Sequence, residues 1–372
     1  MGKKEKSEEA FVEKRNYGIN LLRIGSMLMV LILHVLGAGG VLGAADKLSL
    51  NYEGAWLLET AAYCAVNCYG LISGYVGWKS KPKYANIVLL WLQVLLYSVG
   101  ITVLFALILP GSAGGTEILK SFFPVLNNYG WYFTCYFALF FFMPALNHVI
   151  GTMAEKDLKI LCGSLFALLS VLPTAAMQDI FQLKDGYSVL WLAALYLWGG
   201  CIGRFGWFQK IKKRYLALIY GGCVVVSWGA KYALELWNNP WISQFTYPEV
   251  LIRYKSPTIL ISAAALLILF AKINLPKTGK TIVKFLSPAA FGVYIVHMHP
   301  QIWNRIIVGK YASLATENLL LLTGKVLLTA VILYVILSLI DLIRHHLFRW
   351  LKIKEKLVSL ERRILSGKKE TL

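Results

Sequence analysis

The sequence predicts an all-α fold: a polytopic membrane helical bundle of about ten transmembrane helices, with both termini cytoplasmic. Three observations carry this expectation. Of the 372 residues, 58% are apolar and only 15% are charged, whereas soluble domains run at about 45–50% and about 25%. The apolar residues gather in runs of about 20, the length a helix needs to cross ~30 Å of hydrocarbon. The basic residues cluster between alternate runs, as the positive-inside rule requires.

The runs occupy roughly 17–40, 55–77, 85–109, 129–150, 159–176, 187–205, 215–236, 256–272, 285–304 and 318–343. Each is expected to be helical because open backbone is not tolerated in lipid. Two of them, 159–176 and 256–272, are short, and losing either inverts everything after it. With the N-terminus inside, the cytoplasmic pieces are 1–16, 78–84, 151–159, 203–214, 271–284 and 344–372. They hold 28 of the 38 Lys+Arg, against 6 in the outer pieces 41–54, 110–128, 177–186, 237–254 and 305–317. The asymmetry favours an even number of spans.

Three regions follow: a basic cytoplasmic tail (1–16), a transmembrane domain (17–343) and a basic cytoplasmic tail (344–372). The second tail alternates basic residues with Leu347, Phe348, Leu351, Leu357, Leu360 and Ile364. It reads either as an amphipathic helix on the anionic inner leaflet or as the last span running on into water. The first run lacks an A-x-A-like cleavage site and is expected to stay as a span. The net charge of +19 belongs to membrane orientation, and nucleic acid is not expected as a partner, since no recognition module is present.

Several chemistries find no support. The six cysteines, Cys64, Cys68, Cys135, Cys162, Cys201 and Cys223, all lie in apolar runs and read as small buried hydrophobes. No metal-ligand set stands out. H-E-x-x-H, a P-loop and G-x-G-x-x-G are absent, as is the G-x-S-x-G of serine hydrolases. No internal repeat of the transporter kind is visible.

Ionisable groups inside the bilayer cost about 2.5–3.5 kcal/mol on translocon scales and mark function by default. The first run carries Arg23 and His34. Eleven residues at about 100° each return to within about 20° of three full turns, with a rise of about 16 Å. Both side chains therefore leave one face, Arg23 near the cytoplasmic end and His34 deeper. A guanidinium can hold phosphates bidentately, and an imidazole can take a proton from a hydroxyl. The blander accounts are an arginine that snorkels to headgroups and a packed helix histidine.

Glu59 shares a helix face with Asn67, and Ser73 follows on the same run. A buried carboxylate there could orient His34 or pair with Arg23, or form a structural ion pair. His297 and His299, two residues apart, point to different sides of a helix. Lys231 and Glu235 suit a local i,i+4 pair. His345 and His346 belong to the cytoplasmic end. Trp131 and Tyr132 open a very aromatic run and suit either an interface belt or a pocket for an adenine or sugar ring.

The ordered set of segments resembles the membrane acyltransferase-3 family. RNYGINLLRIGSMLMVLILHVLGAGG at the start carries the family's basic residue, ten intervening residues and His in the first membrane helix. LISGYVGW (71–78), YGWYFTCYFALFFFMPALN (129–147), RYKSPTIL (253–260) and SPAAFGVYIVHMHP (287–300) extend the likeness over nearly the whole chain. The resemblance implies a ten- or eleven-helix acyltransferase of the bacterial cytoplasmic membrane. It implies no tightly bound cofactor and an acyl-CoA, often acetyl-CoA, as donor. The acceptor it implies is a hydroxyl of a cell-surface glycan or its lipid-linked precursor. His34 is then the expected catalytic base and Arg23 its charged partner on the donor side, with Glu59 a third catalytic candidate. Trp131 and Tyr132 join Arg23 as expected donor contacts. Asn67, Ser73, Tyr294 and His297 are the expected acceptor contacts, the last two as the family's YxxH-like element.

A transporter or flippase of a small polar or glycan substrate is the alternative, since intramembrane charge also marks substrate paths. A sensor or scaffold would explain the basic tail but leave Arg23 and His34 without purpose. Oligomeric state, a homodimer included, stays open.

Overall fold

The computed structural model describes residues 16–237 and 247–367. Of the expected tails and outer loops, 1–15, 238–246 and 368–372 lie outside the described residues. Among those described, the fold is all-α, with no strand.

Helix α1 spans Tyr17–Leu36 and starts where the Asn16 side chain accepts from the Ile19 N–H at 3.2 Å, satisfying one orphan donor of the first turn. The expected second run is two helices, α2 (Leu50–Ala62) and α3 (Ala65–Gly77), each of 13 residues. The Tyr63 N–H bonds back to Thr60 at 3.3 Å, tightening the last turn of α2 and breaking the run. After α4 (Tyr84–Ile108) come α5 (Trp131–Thr152) and α6 (Glu155–Phe166). A wide π-turn, Ala167–Val171, extends α6 just before Pro173, and Leu172–Ala175 completes the run. The chain continues through α7 (Val189–Phe205), α8 (Lys213–Trp237) and α9 (Pro257–Ala271).

The ninth expected run differs from expectation at both ends. Helix α10 (Lys277–Leu286) occupies much of what was assigned to a cytoplasmic loop. A single 3-10 turn at Ser287–Ala289, holding Pro288, joins it to α11 (Ala290–His297). The run stops early because Pro300 disfavours the helical region for the residue before it; His299 is extended and its side chain caps the next turn. Helix α12 (Leu319–Trp350) is longer than its apolar run. After a turn with Lys352 at φ 53°, the chain forms a separate helix, α13 (Ile353–Gly367). The tail thus folds back, and Glu361 accepts from the Tyr84 N–H at 2.8 Å.

Among the described residues, seven stretches are long and apolar enough to cross a membrane: Tyr17–Ala44, Tyr84–Ile108, Trp131–Thr152, Glu155–Ala175, Lys213–Trp237, Lys277–His297 and Leu319–Trp350. Helices α7 and α9 are shorter apolar helices. Large apolar side chains stand exposed on the outside of the bundle, among them Leu104 and Leu107, Val225 and Val226, and Val331 and Val335. Such a belt suits lipid, since water-facing monomers rarely expose wide apolar patches.

Two cores share the interior. One gathers around α3, α7 and α9, with Leu71, Trp191, Leu195 and Leu267. The other gathers around α1, α11 and α12, with Leu31, Val35, Val293 and Val326. Helix α7 is buried on nearly every side, as expected for a central helix. Close approach to α3 rests on Gly74 against the Tyr196 carbonyl and Gly199 against the Leu71 carbonyl, where no Cβ fits. Small residues of this kind let membrane helices touch backbone to backbone.

Candidate active site

His34 stands in the last turn of α1, half-buried. Its Nδ1 lies 2.9 Å from Nε2 of His297, which is 1% exposed. The Nδ1 of His297 lies 2.7 Å from the Val293 carbonyl one turn back. A carbonyl can only accept, so His297 donates through Nδ1–H, and its neutral ring offers a lone pair at Nε2. His34 must then donate from Nδ1, which leaves the lone pair on its own Nε2. That tautomer follows from donor counting. His34 makes no other hydrogen bond with the described residues. The Trp303 ring meets the His34 ring edge-on, with centroids 4.9 Å apart.

A cavity of about 60 Å³ lies against His34. Met27, Val30 and His34 form its α1 wall, with Val66 and Tyr69 from α3, Tyr132 from α5 and Tyr294 from α11. These residues come from both cores, so the cavity sits where the cores meet. Arg23 is one turn beyond Met27 on the same face and is not in the lining. Its Nη1 donates to Asn20 Oδ1 at 2.9 Å, and its carbonyl accepts from the Tyr69 hydroxyl at 2.7 Å. Tyr69 therefore reaches both the cavity and Arg23.

The other expected site residues separate into groups. Tyr294 and Tyr132 wall the cavity, and the Tyr294 hydroxyl accepts from the Tyr132 backbone N–H at 3.2 Å. Gly130, at φ 74°, lets this happen: a Cβ there would come within 2.8 Å of the Tyr294 oxygen. Ser73 donates to the Tyr69 carbonyl at 2.8 Å. Trp131 also walls the cavity, but its ring packs with Tyr187 at 4.5 Å and Tyr254 at 5.9 Å. It begins α5.

Two expected contacts have other occupations. Asn67 is fully buried; it donates to the Tyr254 carbonyl at 2.8 Å and accepts from the Trp191 indole at 3.0 Å. It is a clamp and does not line the cavity. Glu59 is 8% exposed and outside the cavity lining, and its Oε2 has no hydrogen-bond partner among the described residues. The orienting contact to His34, offered by sequence to Glu59, is made by His297.

Sequence reading missed Tyr69, Tyr254, Trp303 and Asp341. Asp341, on α12, is buried and accepts from Gln93 at 3.1 Å, Tyr97 at 2.8 Å and Arg344 at 2.6 Å. An acid at the end of an apolar run was the available signal.

A family model described as an acyltransferase domain matches residues 16–340, which include every site residue above except Asp341 and its partner Arg344. The chain belongs to the acyltransferase-3 family. It is a membrane acyltransferase. No curated protein and no solved structure matches the chain.

Proposed function

We propose that this acyltransferase moves a short acyl group, acetyl, from a cytosolic acyl-CoA to a hydroxyl of a bacterial cell-surface glycan or its lipid-linked precursor. The protein would work as a multi-pass component of the cytoplasmic membrane. The observation that carries the reading is the His34–His297 hydrogen bond beside a cavity. It gives His34 a fixed ring and a free lone pair, which is what a general base requires.

In the proposed step, His34 Nε2 takes the proton of the acceptor hydroxyl. The oxygen attacks the thioester carbonyl, a C–O bond forms and the C–S bond breaks. The departing CoA sulfur receives the proton from His34, so the base is restored. Help of this kind contributes about 10²–10⁴ in rate. Arg23, a turn below the cavity, suits the phosphates of a donor whose thin pantetheine arm runs up the α1 face towards His34. A cavity of about 60 Å³ equals about two liquid waters and favours a two-carbon acyl group over a fatty chain.

The test is mass spectrometry of surface glycans from cells with the protein, without it, and with His34→Ala. The expected result is an acetyl ester present in the first sample only. Full acetylation with His34→Ala defeats the general-base role, and three identical spectra defeat the glycan acceptor.

A further inference from the structure

A second cavity, of about 210 Å³, lies behind Tyr254. Its walls include Thr174, Asp179, Asp185, Tyr247, Arg253 and Lys255. These residues belong to, or adjoin, the segments 177–186 and 237–254, which the charge asymmetry assigns to the outer face. Arg253 and Lys255 line this cavity, while Tyr254 between them lines the one beside His34. One tripeptide is thus a wall of both. It is held from inside by Asn67 on the Tyr254 carbonyl and by the Ser170 hydroxyl on the Lys255 carbonyl at 2.6 Å.

The cavity has the marks of a built site. Thr174 is 8% exposed, and its hydroxyl has no hydrogen-bond partner among the described residues although it lines the cavity. Leaving a buried hydroxyl unpaired is unfavourable, and a bound polar ligand removes that cost. Lys255, 5% exposed, reaches Asp185 at 2.8 Å and Asp179 at 3.5 Å. Asp179 also accepts from the backbone N–H groups of Leu183 at 2.9 Å and Lys184 at 2.6 Å. These bonds fix a wall in which Met177, Gln182, Lys184 and Asp185 all take positive φ. Backbone of that kind persists only where its surroundings over-determine it.

The chemistry of the wall narrows the ligand. Both cations already have carboxylate partners, Lys255 in Asp185 and Asp179 and Arg253 in Glu249 at 4.0 Å, so the site does not call for an anionic guest. Asp185 and Arg253 keep part of their side chains exposed, one to accept from hydroxyls and one to donate to them. The exposed Tyr247 ring adds a flat apolar face. The volume equals about seven liquid waters, room for one ring with its substituents.

We propose that this cavity is an outer subsite for the acceptor and holds one neutral sugar ring of the glycan beside the Tyr254 wall of the His34 cavity. The proposal rests on the acyl-transfer reading above and adds to it where the acceptor binds and what charge it carries.

The experiment uses the full chain in lipid nanodiscs, labelled acetyl-CoA, and purified surface polysaccharide of the producing cell as acceptor. Thr174→Val and Arg253→Gln are expected to raise the acceptor KM about tenfold with kcat within twofold. Thr174→Ser is expected to keep the wild-type KM, as is Lys120→Gln, on another outer loop. An unchanged KM in both Thr174→Val and Arg253→Gln overturns the subsite, and so does a fall in kcat at constant KM. A wild type that passes no label to the polysaccharide defeats the reading beneath the proposal, and the proposal with it.

Discussion

The Asp341 carboxylate lies against the α-carbon of Gly292, so closely that any Cβ at 292 would overlap it. Gly292 is on α11, one residue before the Val293 carbonyl that fixes His297. Helix α12 therefore seats the helix that orients His34. Gly292→Ala is expected to cost about 1–3 kcal/mol by overpacking. Asp341→Leu, which leaves the Arg344 guanidinium without its buried partner, should cost about 3–5 kcal/mol. Unfolding in mixed micelles reads both. A change within about 0.5 kcal/mol, the range of an ordinary surface substitution, would show that the contact seats nothing.

His297→Phe keeps a ring of similar size and removes the acceptor for His34 Nδ1–H. The imidazole is then free to take either tautomer. Transfer is expected to fall by about 10²–10⁴, close to the loss of a general base. His297→Gln, whose carbonyl oxygen can accept the same bond, should keep more activity than His297→Phe. Initial rates with labelled acetyl-CoA decide it: equal rates for the two variants mean that His34 needs no acceptor at Nδ1.

Lys231 on α8 is fully buried, 3.1 Å from Glu53 on α2 and 2.6 Å from Glu235. The ammonium also lies 4.0 Å from the Tyr52 ring centroid and 4.9 Å from that of Trp56. Lys231→Met leaves two carboxylates facing each other and should cost about 3–5 kcal/mol. Adding Glu53→Gln and Glu235→Gln removes the stranded charges and is expected to recover most of that loss, since replacing a whole buried ion cluster is often neutral. A triple variant no more stable than Lys231→Met would mean that packing of the lysine stem, and not charge, holds α8 to α2.

These cases mark what was legible in the sequence. The apolar runs fall largely on helices because backbone in lipid must pair internally, although the second is broken at Tyr63 and the ninth stops at His297, and the shared face of Arg23 and His34 is helix geometry. The i,i+4 pairing of Lys231 with Glu235 was readable for the same reason, but Glu53, 178 residues away, was not. His34 and His297 are 263 residues apart, and helical period gives a face without its partner. The break at Tyr63 and Cys64 carries no Pro or Gly to announce it. Asn67, expected to touch the acceptor, lies outside the cavity for another reason. Residue type and face cannot say whether a buried polar or aromatic group meets a ligand or a neighbouring helix.

Asn67 offers the sharpest separation of those two roles. Asn67→Asp keeps an oxygen for the Trp191 indole but loses the N–H that holds the Tyr254 carbonyl. That buried carbonyl would face a second acceptor, at a cost of about 1–3 kcal/mol. Because Tyr254 walls the His34 cavity and its neighbours wall the outer one, transfer should fall together with stability. A substrate contact behaves differently, raising the acceptor KM while unfolding stays at the wild-type midpoint. Finding that second pattern would return Asn67 to the acceptor and remove the clamp.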